Sequence, residues 1–164
     1  MSRRPLAAGA ALVLIATVSL TGCATISGLF GGAVRDDEGQ ISEGGQVDVL
    51  TLAVGDCLVG VEEGMQSSVD AVPCAEEHDL EAFHDFTLPA GDFPGEETVD
   101  QAAIEGCHTA FEEFIGLSYD ESVLVYTYFY PSEESWTQAD DRLITCLVGE
   151  ESGPVTGTLA GAAR

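Results

Sequence analysis

Apolar residues along the chain fall into short runs with a period of two, which is typical of β-strands in a half-buried sheet. The fourth run is the richest in β-branched and aromatic residues, and glycine, proline and acidic residues separate the runs. In the third run we expect Ala82 and His84 to share one face and Phe83 to lie on the other. The five runs occupy residues 51–61, 67–74, 81–88, 122–131 and 142–148, and a candidate edge strand occupies residues 154–159.

The segment between the third and fourth runs has a helical period instead. Its apolar residues recur at steps of three and four, in a stripe that begins at Val99 and includes Cys107. Thr98 and Gln101 have the spacing of a capping box, and Gly116 supplies a C-terminal stop. The order β-β-β-α-β-β predicts an α+β fold in which an antiparallel sheet packs on one helix.

The first residues predict an export signal. Positive charges lie in residues 1–4, and the apolar stretch over residues 6–20 is too short for a comfortable transmembrane span. The stretch ends in Leu-Thr-Gly-Cys, which resembles the lipobox of bacterial lipoproteins, where the signal is cut before a cysteine that receives a diacylglyceryl group. We therefore expect a signal peptide over residues 1–22 and a lipid such as palmitate on Cys23. The alternative is an uncleaved signal anchor with an incidental cysteine.

Charge excludes one class of partner and separates a predicted linker from the domain. Among the 164 residues, 29 are acidic and five are basic, so the net charge is −24. Such a surface repels phosphate backbones and anionic headgroups, so we expect no nucleic-acid partner. We expect the protein to be attached to the cell membrane only through its lipid anchor. Glycine- and acid-rich sequence predicts a flexible tether over residues 23–48, which leaves residues 49–164 as the extracytoplasmic domain.

Four cysteines remain once Cys23 is assigned to the lipid. An even number in an oxidising compartment predicts two disulfides, but four cysteines allow three connectivities and the sequence does not choose among them. Cys57 and Cys74 lie in two runs that a hairpin would bring close, whereas Cys107 and Cys146 would join the helix to a later strand. A four-cysteine zinc site is disfavoured, because the C-x₂₋₄-C spacing of zinc ribbons is missing.

The segment from Cys74 to His84 holds the densest group of potential metal ligands and acid–base residues. Oxidation of Cys74 would remove its thiolate, and strand alternation would place Glu81 opposite His84. We therefore expect no metal and no cofactor, and interpret His78 as a histidine at the start of a strand, bound to the backbone or to Asp79. No nucleophile elbow, zincin motif or phosphate-binding loop is present, so the sequence predicts no catalytic residue.

Three segments, "VGDC", "VPCAEEHDLEAFHDFTLPAGDFPGEE" and "YPSEESWTQADDRLITCLV", occur in this order with a cysteine in the predicted helix. In order and spacing they resemble the septum formation domain family over residues 52–148. The resemblance implies an envelope protein of high-G+C Gram-positive bacteria with a link to the division septum, and it implies no reaction, cofactor or catalytic residue. The family usually has glycine where Asp140 stands here, so we expect a less tight turn. The matched positions are Gly55, Asp56, Cys57, Cys74, His78, Asp79, Pro94, Gly95, Cys107, Trp136, Asp141, Arg142 and Cys146.

Arg142 is the sole cation between Arg35 and Arg164, in a domain rich in carboxylates. Its planar guanidinium can bind a carboxylate through two hydrogen bonds at once. We therefore assign Asp141 and Arg142 to a structural ion pair that holds the turn at Trp136 to the last strands.

Tyr126, Tyr128 and Tyr130 alternate on one face of the fourth run. Two interpretations stay open: core packing, or an exposed aromatic stripe that, with His78, binds a glycan or a protein. The hypothesis for the whole chain is a non-catalytic binding or scaffold domain on a lipid anchor, with a division or cell-wall protein or glycan as partner. The alternatives are an enzyme that acts on the envelope, such as a cell-wall hydrolase, and a calcium-stabilised binding module.

Overall fold

The structure is a computed structural model that describes residues 31–62 and 66–164. Six strands form one sheet in the order β3-β5-β4-β7-β9-β8, and all of their pairings are antiparallel. Two further pairs, β1 with β2 and β6 with β10, are also antiparallel. The predicted α+β fold is therefore confirmed. In the described residues, the elements are β1 (Val34–Arg35), β2 (Ile41–Glu43), β3 (Gly45–Asp48), β4 (Cys57–Val59), β5 (Ser68–Val72), β6 (Glu77–His78), β7 (Leu80–Thr87), α1 (Glu96–Ile115), β8 (Leu124–Phe129), α2 (Glu133–Gln138), β9 (Leu143–Glu150) and β10 (Val155–Thr156).

The two faces of the main sheet bury separate hydrophobic clusters. Helix α1 covers one face, where Ala103 and Phe111 pack with Ile144 of β9. The opposite face packs against the N-terminal segment, through Ile41 and Leu52. Because both of its faces are covered, β9 is buried through its whole interior and lacks the alternation of a strand that faces solvent on one side.

Helix α1 begins at Glu96, ahead of the predicted capping box. Gly95 is the N-cap residue, and the Thr98 hydroxyl donates to the carbonyl oxygen of Pro94 (3.1 Å). The capping-box prediction is wrong, because Thr98 lies inside the first turn, where its hydroxyl reaches a carbonyl four residues back. The predicted stop is confirmed, since Gly116 adopts the left-handed conformation (φ 83°) that ends the helix.

A β-bulge in β7 changes which side chains of the third predicted strand share a face. The register with β9 shifts between Ala82 and His84. Phe83 therefore joins the cluster under α1, whereas Ala82 joins the cluster on the opposite face. The prediction that Ala82 and His84 share a face is wrong, because the extra residue of a bulge reverses the alternation.

Strands β1, β2 and β3 lie within the predicted flexible tether. β3 pairs with β5 and forms one edge of the main sheet. Ile41 of β2 is 7% exposed and belongs to the hydrophobic cluster on that side. The tether prediction over residues 23–48 is therefore wrong for residues 34–48. The cause is that β3 is held by its pairing with β5, which lies outside the segment. The segment itself therefore shows no alternation of apolar and polar residues from which a strand could be predicted.

Cys23, the predicted signal peptide over residues 1–22, and residues 23–30 of the tether lie outside the described residues. The lipid anchor therefore stays a prediction. Within the part of the chain that the structure describes, neither helix combines the length and apolar character needed to cross a bilayer.

Both predicted disulfides are confirmed. Cys57–Cys74 closes the β4–β5 hairpin, and Cys107–Cys146 joins α1 to β9. Their partners are 17 and 39 residues apart, which corresponds to about 3 and 4 kcal/mol of stabilisation on a chain-entropy estimate. The two crosslinks therefore contribute a large share of the stability of a domain of this size.

Candidate functional site

The turn that carries Trp136 follows Pro131 and is fixed by the cap of α2. The Ser132 hydroxyl oxygen accepts from the N–H of Ser135 (3.1 Å), and the Ser135 hydroxyl oxygen accepts from the N–H of Ser132 (3.0 Å). Trp136 points inward and is 4% exposed, and its Nε1–H donates to the carbonyl oxygen of Gly91 (2.9 Å). Helix α2 is thereby joined to the loop that follows β7.

The guanidinium of Arg142 lies over the Trp136 ring, 3.7 Å from its centroid. Its Nη1 donates to the carbonyl oxygens of Trp136 (2.9 Å) and Asp141 (2.7 Å), and its Nη2 pairs with the carboxylate of Asp140 (3.0 Å). Arg142 therefore links the α2 turn to the start of β9. Its carboxylate partner is Asp140, whose side chain is 92% exposed.

Asp141 is not the ion-pair partner of Arg142. Its carboxylate accepts from the Ser135 hydroxyl (2.9 Å) and from the N–H of Leu143 (3.0 Å), which ties the turn to β9. Asp140 has φ 54°, the left-handed conformation that favours glycine. Asp140 therefore adopts a conformation that glycine takes more readily, at a cost of about 1 kcal/mol, and the less tight turn stays a prediction.

An open cleft of about 550 Å³ lies beside the Trp136 turn. The rings of Phe93 and Trp136 pack edge to face with their centroids 5.6 Å apart, and Arg142 covers the Trp136 ring. The Trp136 ring is therefore not offered as a free stacking surface to a ligand in the cleft. Arg142 also lines the cleft and is paired with the carboxylate of Asp140, so the exposed carboxylate of Asp92 leaves the cleft with a small negative charge. It suits a cationic or amide group better than an apolar ligand. The residues that line it include Gly91, Asp92, Phe93, Trp136, Gln138 and Asp140.

The three predicted tyrosines, in β8 and just after it, do not form a uniform exposed stripe. Tyr126 lies beside Tyr119, with ring centroids 4.9 Å apart, and the Tyr128 hydroxyl donates to the carboxylate of Asp100 on α1 (2.8 Å). Burial raises the pKa of both phenols, and Asp100 raises the pKa of Tyr128 further. Core packing therefore describes Tyr126 and Tyr128, while Tyr130 is 39% exposed.

His78 is fully buried in β6, opposite Val155 of β10. Its Nδ1 lies 3.0 Å from the carbonyl oxygen of Glu76, and its Nε2 has no hydrogen-bond partner among the described residues. The Asp79 carboxylate lies elsewhere and accepts from the N–H of Gly60 (2.8 Å). The structure therefore does not place the His78 ring where a partner in solution would contact it.

Within the described ranges, one group of three potential metal ligands has donor atoms within 4.8 Å of one another: Cys57, Cys74 and Glu81. The two cysteines form a disulfide, so neither offers a thiolate. Glu81 is 1% exposed and accepts from the Thr158 hydroxyl (2.6 Å) and from the N–H of Leu159 (2.5 Å). The carboxylate therefore fastens the segment after β10 to the sheet.

An ion pair between Arg35 and Asp56, which no local pattern of the sequence predicts, joins β1 to the loop before β4. Nη1 and Nη2 of Arg35 donate to Oδ1 and Oδ2 of Asp56, both at 2.6 Å, and Asp56 also accepts from the N–H of Ala53 (2.9 Å). Asp56 is 1% exposed, and its hydrogen bonds raise the pKa of Arg35. Arginines are scarce in this chain, and each of the three in the described residues forms an ion pair. The scarcity of arginine in so acidic a chain was the one feature of the sequence that could have indicated an ion pair at Arg35.

No curated protein and no solved structure matches the chain. A family model described as septum formation matches residues 54–162, which is well over half of the 164 residues. The match includes both disulfides and the whole Trp136 turn, and it begins after β3. The chain therefore belongs to the septum formation family.

Proposed function

We propose that this chain is a lipid-anchored protein on the extracytoplasmic face of the cell membrane, and that its domain serves septum formation by binding a division or cell-wall partner. The family match supports the link to septum formation. The motif that ends at Cys23 supports the anchor, and the two disulfides suit an oxidising compartment.

The observation that supports a binding role is that the buried charged side chains are all bound by other groups of the domain. Asp56 and Glu81, the buried carboxylates of the described residues, are both bound by groups of the same chain. Arg142 is likewise bound to carbonyl oxygens and to Asp140. A general acid or base needs a side open to its substrate. These groups instead hold the domain in shape, which favours recognition through the surface.

Crosslinking in dividing cells tests the proposal. The chain has no lysine, so amine-reactive reagents would address at most its amino terminus. A photoreactive residue placed in turn at Asp37 in the turn after β1, Thr109 on α1 and Gln138 on α2, all exposed, avoids this difficulty. We expect a dominant adduct with a division or cell-wall protein from at least one position. We also expect Cys23→Ser to release the chain from the membrane and to abolish the adduct.

Two results would overturn the proposal. If the Cys23→Ser chain stays on the membrane, the predicted lipid anchor on Cys23 is refuted. Turnover of cell-wall polymer by the purified chain, lost in Glu81→Gln while the circular dichroism spectrum is unchanged, would favour the envelope-acting enzyme. His78→Ala serves as a second variant in that assay, because its ring is buried but takes no part in the Glu81 hydrogen bonds.

A further inference from the structure

The two edges of the main sheet differ in how they are covered. At the β3 edge, residues 31–33 run alongside the strand: the N–H of Ala33 donates to the carbonyl oxygen of Gln46 (3.1 Å), and the N–H of Gln46 donates to that of Gly31 (3.0 Å). At the other edge, β8 pairs with β9 on one side only, and no described strand pairs with its outer side. At the first end of this edge, the N–H of Val123 donates to the carbonyl oxygen of Arg164 (3.3 Å) and the N–H of Leu124 donates to the Ser122 hydroxyl oxygen (3.1 Å). From Val125 to Phe129, no described residue outside β9 bonds to the backbone of β8, so this part of the edge is open.

Strand β8 lacks the features that usually protect an open edge. Proteins block such edges with charged residues, proline, bulges or very short strands. The six residues of β8, Leu-Val-Tyr-Thr-Tyr-Phe, contain neither a charge nor a proline. Their register with β9 runs without a shift from Leu124↔Glu150 to Phe129↔Thr145. An added strand would therefore meet a regular, uninterrupted template.

Side chains around this edge offer apolar contacts at both ends. Val123, just before β8, is 62% exposed, and Tyr130, just after it, is 39% exposed. Thr127 is exposed midway along the strand. Val123 and Thr127 lie on one face of the sheet and Tyr130 on the other. An added strand would lie beside β8, with its alternate side chains next to these residues on the two faces, and its backbone would bond to every second residue of β8.

The charge around the edge selects the partner. Exposed carboxylates lie at both ends of β8 along the chain: Asp120 and Glu121 precede it, and Glu133 and Glu134 follow it. Arg164, whose carbonyl oxygen accepts from the N–H of Val123, is paired with Glu150. With a net charge of −24, a second copy of the chain would be repelled, and a basic segment would be attracted.

We propose that the outer edge of β8 binds an extended, lysine- or arginine-rich segment of a partner protein, which pairs with it as a seventh strand of the main sheet. This inference rests on the proposed binding function, for which it names the surface and the chemical class of the partner. Backbone hydrogen bonds would supply the attachment, and the flanking carboxylates would supply the preference for a basic sequence.

The test uses the purified full chain and a fluorescent ten-residue peptide of alternating valine and lysine. Three control peptides separate backbone pairing from charge: one with N-methyl groups on alternate residues, one with glutamate in place of lysine, and one with the same lysines but with proline in place of two of the valines. We expect the first peptide to bind at least about tenfold more tightly than each control by fluorescence anisotropy. We also expect hydrogen exchange to slow at the amides of β8 when it binds.

Variants of the chain assign the binding to the edge. Thr127→Lys places a blocking charge on the open strand and should weaken binding at least about tenfold, as should Val123→Lys. Thr109→Lys, at an exposed position of α1, adds the same charge elsewhere and should change the affinity less than threefold. Thr127→Ser should bind like the parent chain. Circular dichroism confirms that each variant is folded.

Several results would overturn the inference: failure of the valine–lysine peptide to bind, equal binding of its N-methylated form, or an equal loss in Thr109→Lys. If Thr127→Lys still forms the cellular adduct, the edge is not the partner's site but the binding function stands. If the parent chain forms no adduct in cells although the peptide binds at β8, the edge inference stands and the proposed function fails.

Discussion

Removal of Arg35 tests whether the residues before 49 belong to the folded domain. In Arg35→Ala, Asp56 loses both hydrogen bonds from the guanidinium and keeps only the bond from the N–H of Ala53. The carboxylate would remain in a site where it is 1% exposed. The variant therefore leaves a buried charge without its counter-ion, which costs more than the pair itself is worth.

The expected cost follows from the burial of the two partners. Removing one member of a buried pair costs about 3–5 kcal/mol. The Arg35 side chain is 29% exposed, so solvent screens part of the interaction and we expect about 2–3 kcal/mol. That is a large fraction of a typical stability of about 5–15 kcal/mol. The double variant Arg35→Ala/Asp56→Asn should recover part of the loss, because an amide is cheaper to bury than a carboxylate.

Urea unfolding, followed by circular dichroism and by the fluorescence of Trp136 with the disulfides intact, measures the loss. Arg164→Ala is the matched control: the exposed fractions of Arg164 and its partner Glu150 are 47% and 21%, so this change should cost less than about 1 kcal/mol. If Arg35→Ala lowers the free energy of unfolding no more than Arg164→Ala does, the reasoning is refuted. Residues 34–48 would then behave as the flexible tether that the sequence predicted.

Three further changes test the register of the sheet, the Trp136 turn and the tyrosines. Gly149→Ala should cost about 1–3 kcal/mol in urea unfolding, because its Cβ would overlap the main-chain carbonyl oxygen of Asp79; an unchanged midpoint would contradict the register. Asp140→Gly should stabilise the chain by about 0.5 kcal/mol, because it relieves a left-handed conformation at the expense of an exposed ion pair; a lower thermal midpoint would contradict this. Since the pKa of Tyr128 is raised in the folded state, the unfolded chain ionises first, and stability should be retained below about pH 10 and fall above it. Tyr128→Phe should flatten that fall in denaturation curves from about pH 8 to 11, and an unchanged slope would show that Tyr128 is not its source.

Local periodicity was enough to predict most of the fold. The stripe through Cys107 predicted the buried face of α1, and the hairpin runs brought Cys57 and Cys74 together, because both patterns depend on neighbours within a few residues. The bulge at Phe83 and the pairing of β3 depend on partners far along the chain. A single sequence contains no signal for such contacts, so these two features were not predicted.

The candidate site was predictable in its residues but not in its contacts. Trp136 was named from the family resemblance, and Arg142 from its position as an isolated cation among carboxylates. Asp140, in a left-handed conformation, pairs with the arginine, whereas the carboxylate of Asp141 is bound by the Ser135 hydroxyl. Two adjacent aspartates look equivalent in the sequence, so the choice between them as the partner of the arginine could not be predicted.

The N-terminal strands stand apart from the covalent framework of the domain. Both crosslinked loops begin at or after Cys57, so β1, β2 and β3 lie outside them. A mechanical load applied at the N-terminal end of the described residues would fall first on the Arg35–Asp56 contact and on the short β3–β5 ladder. Strands β1, β2 and β3 would separate from the sheet and extend first, while the part of the domain inside the disulfide loops kept its shape.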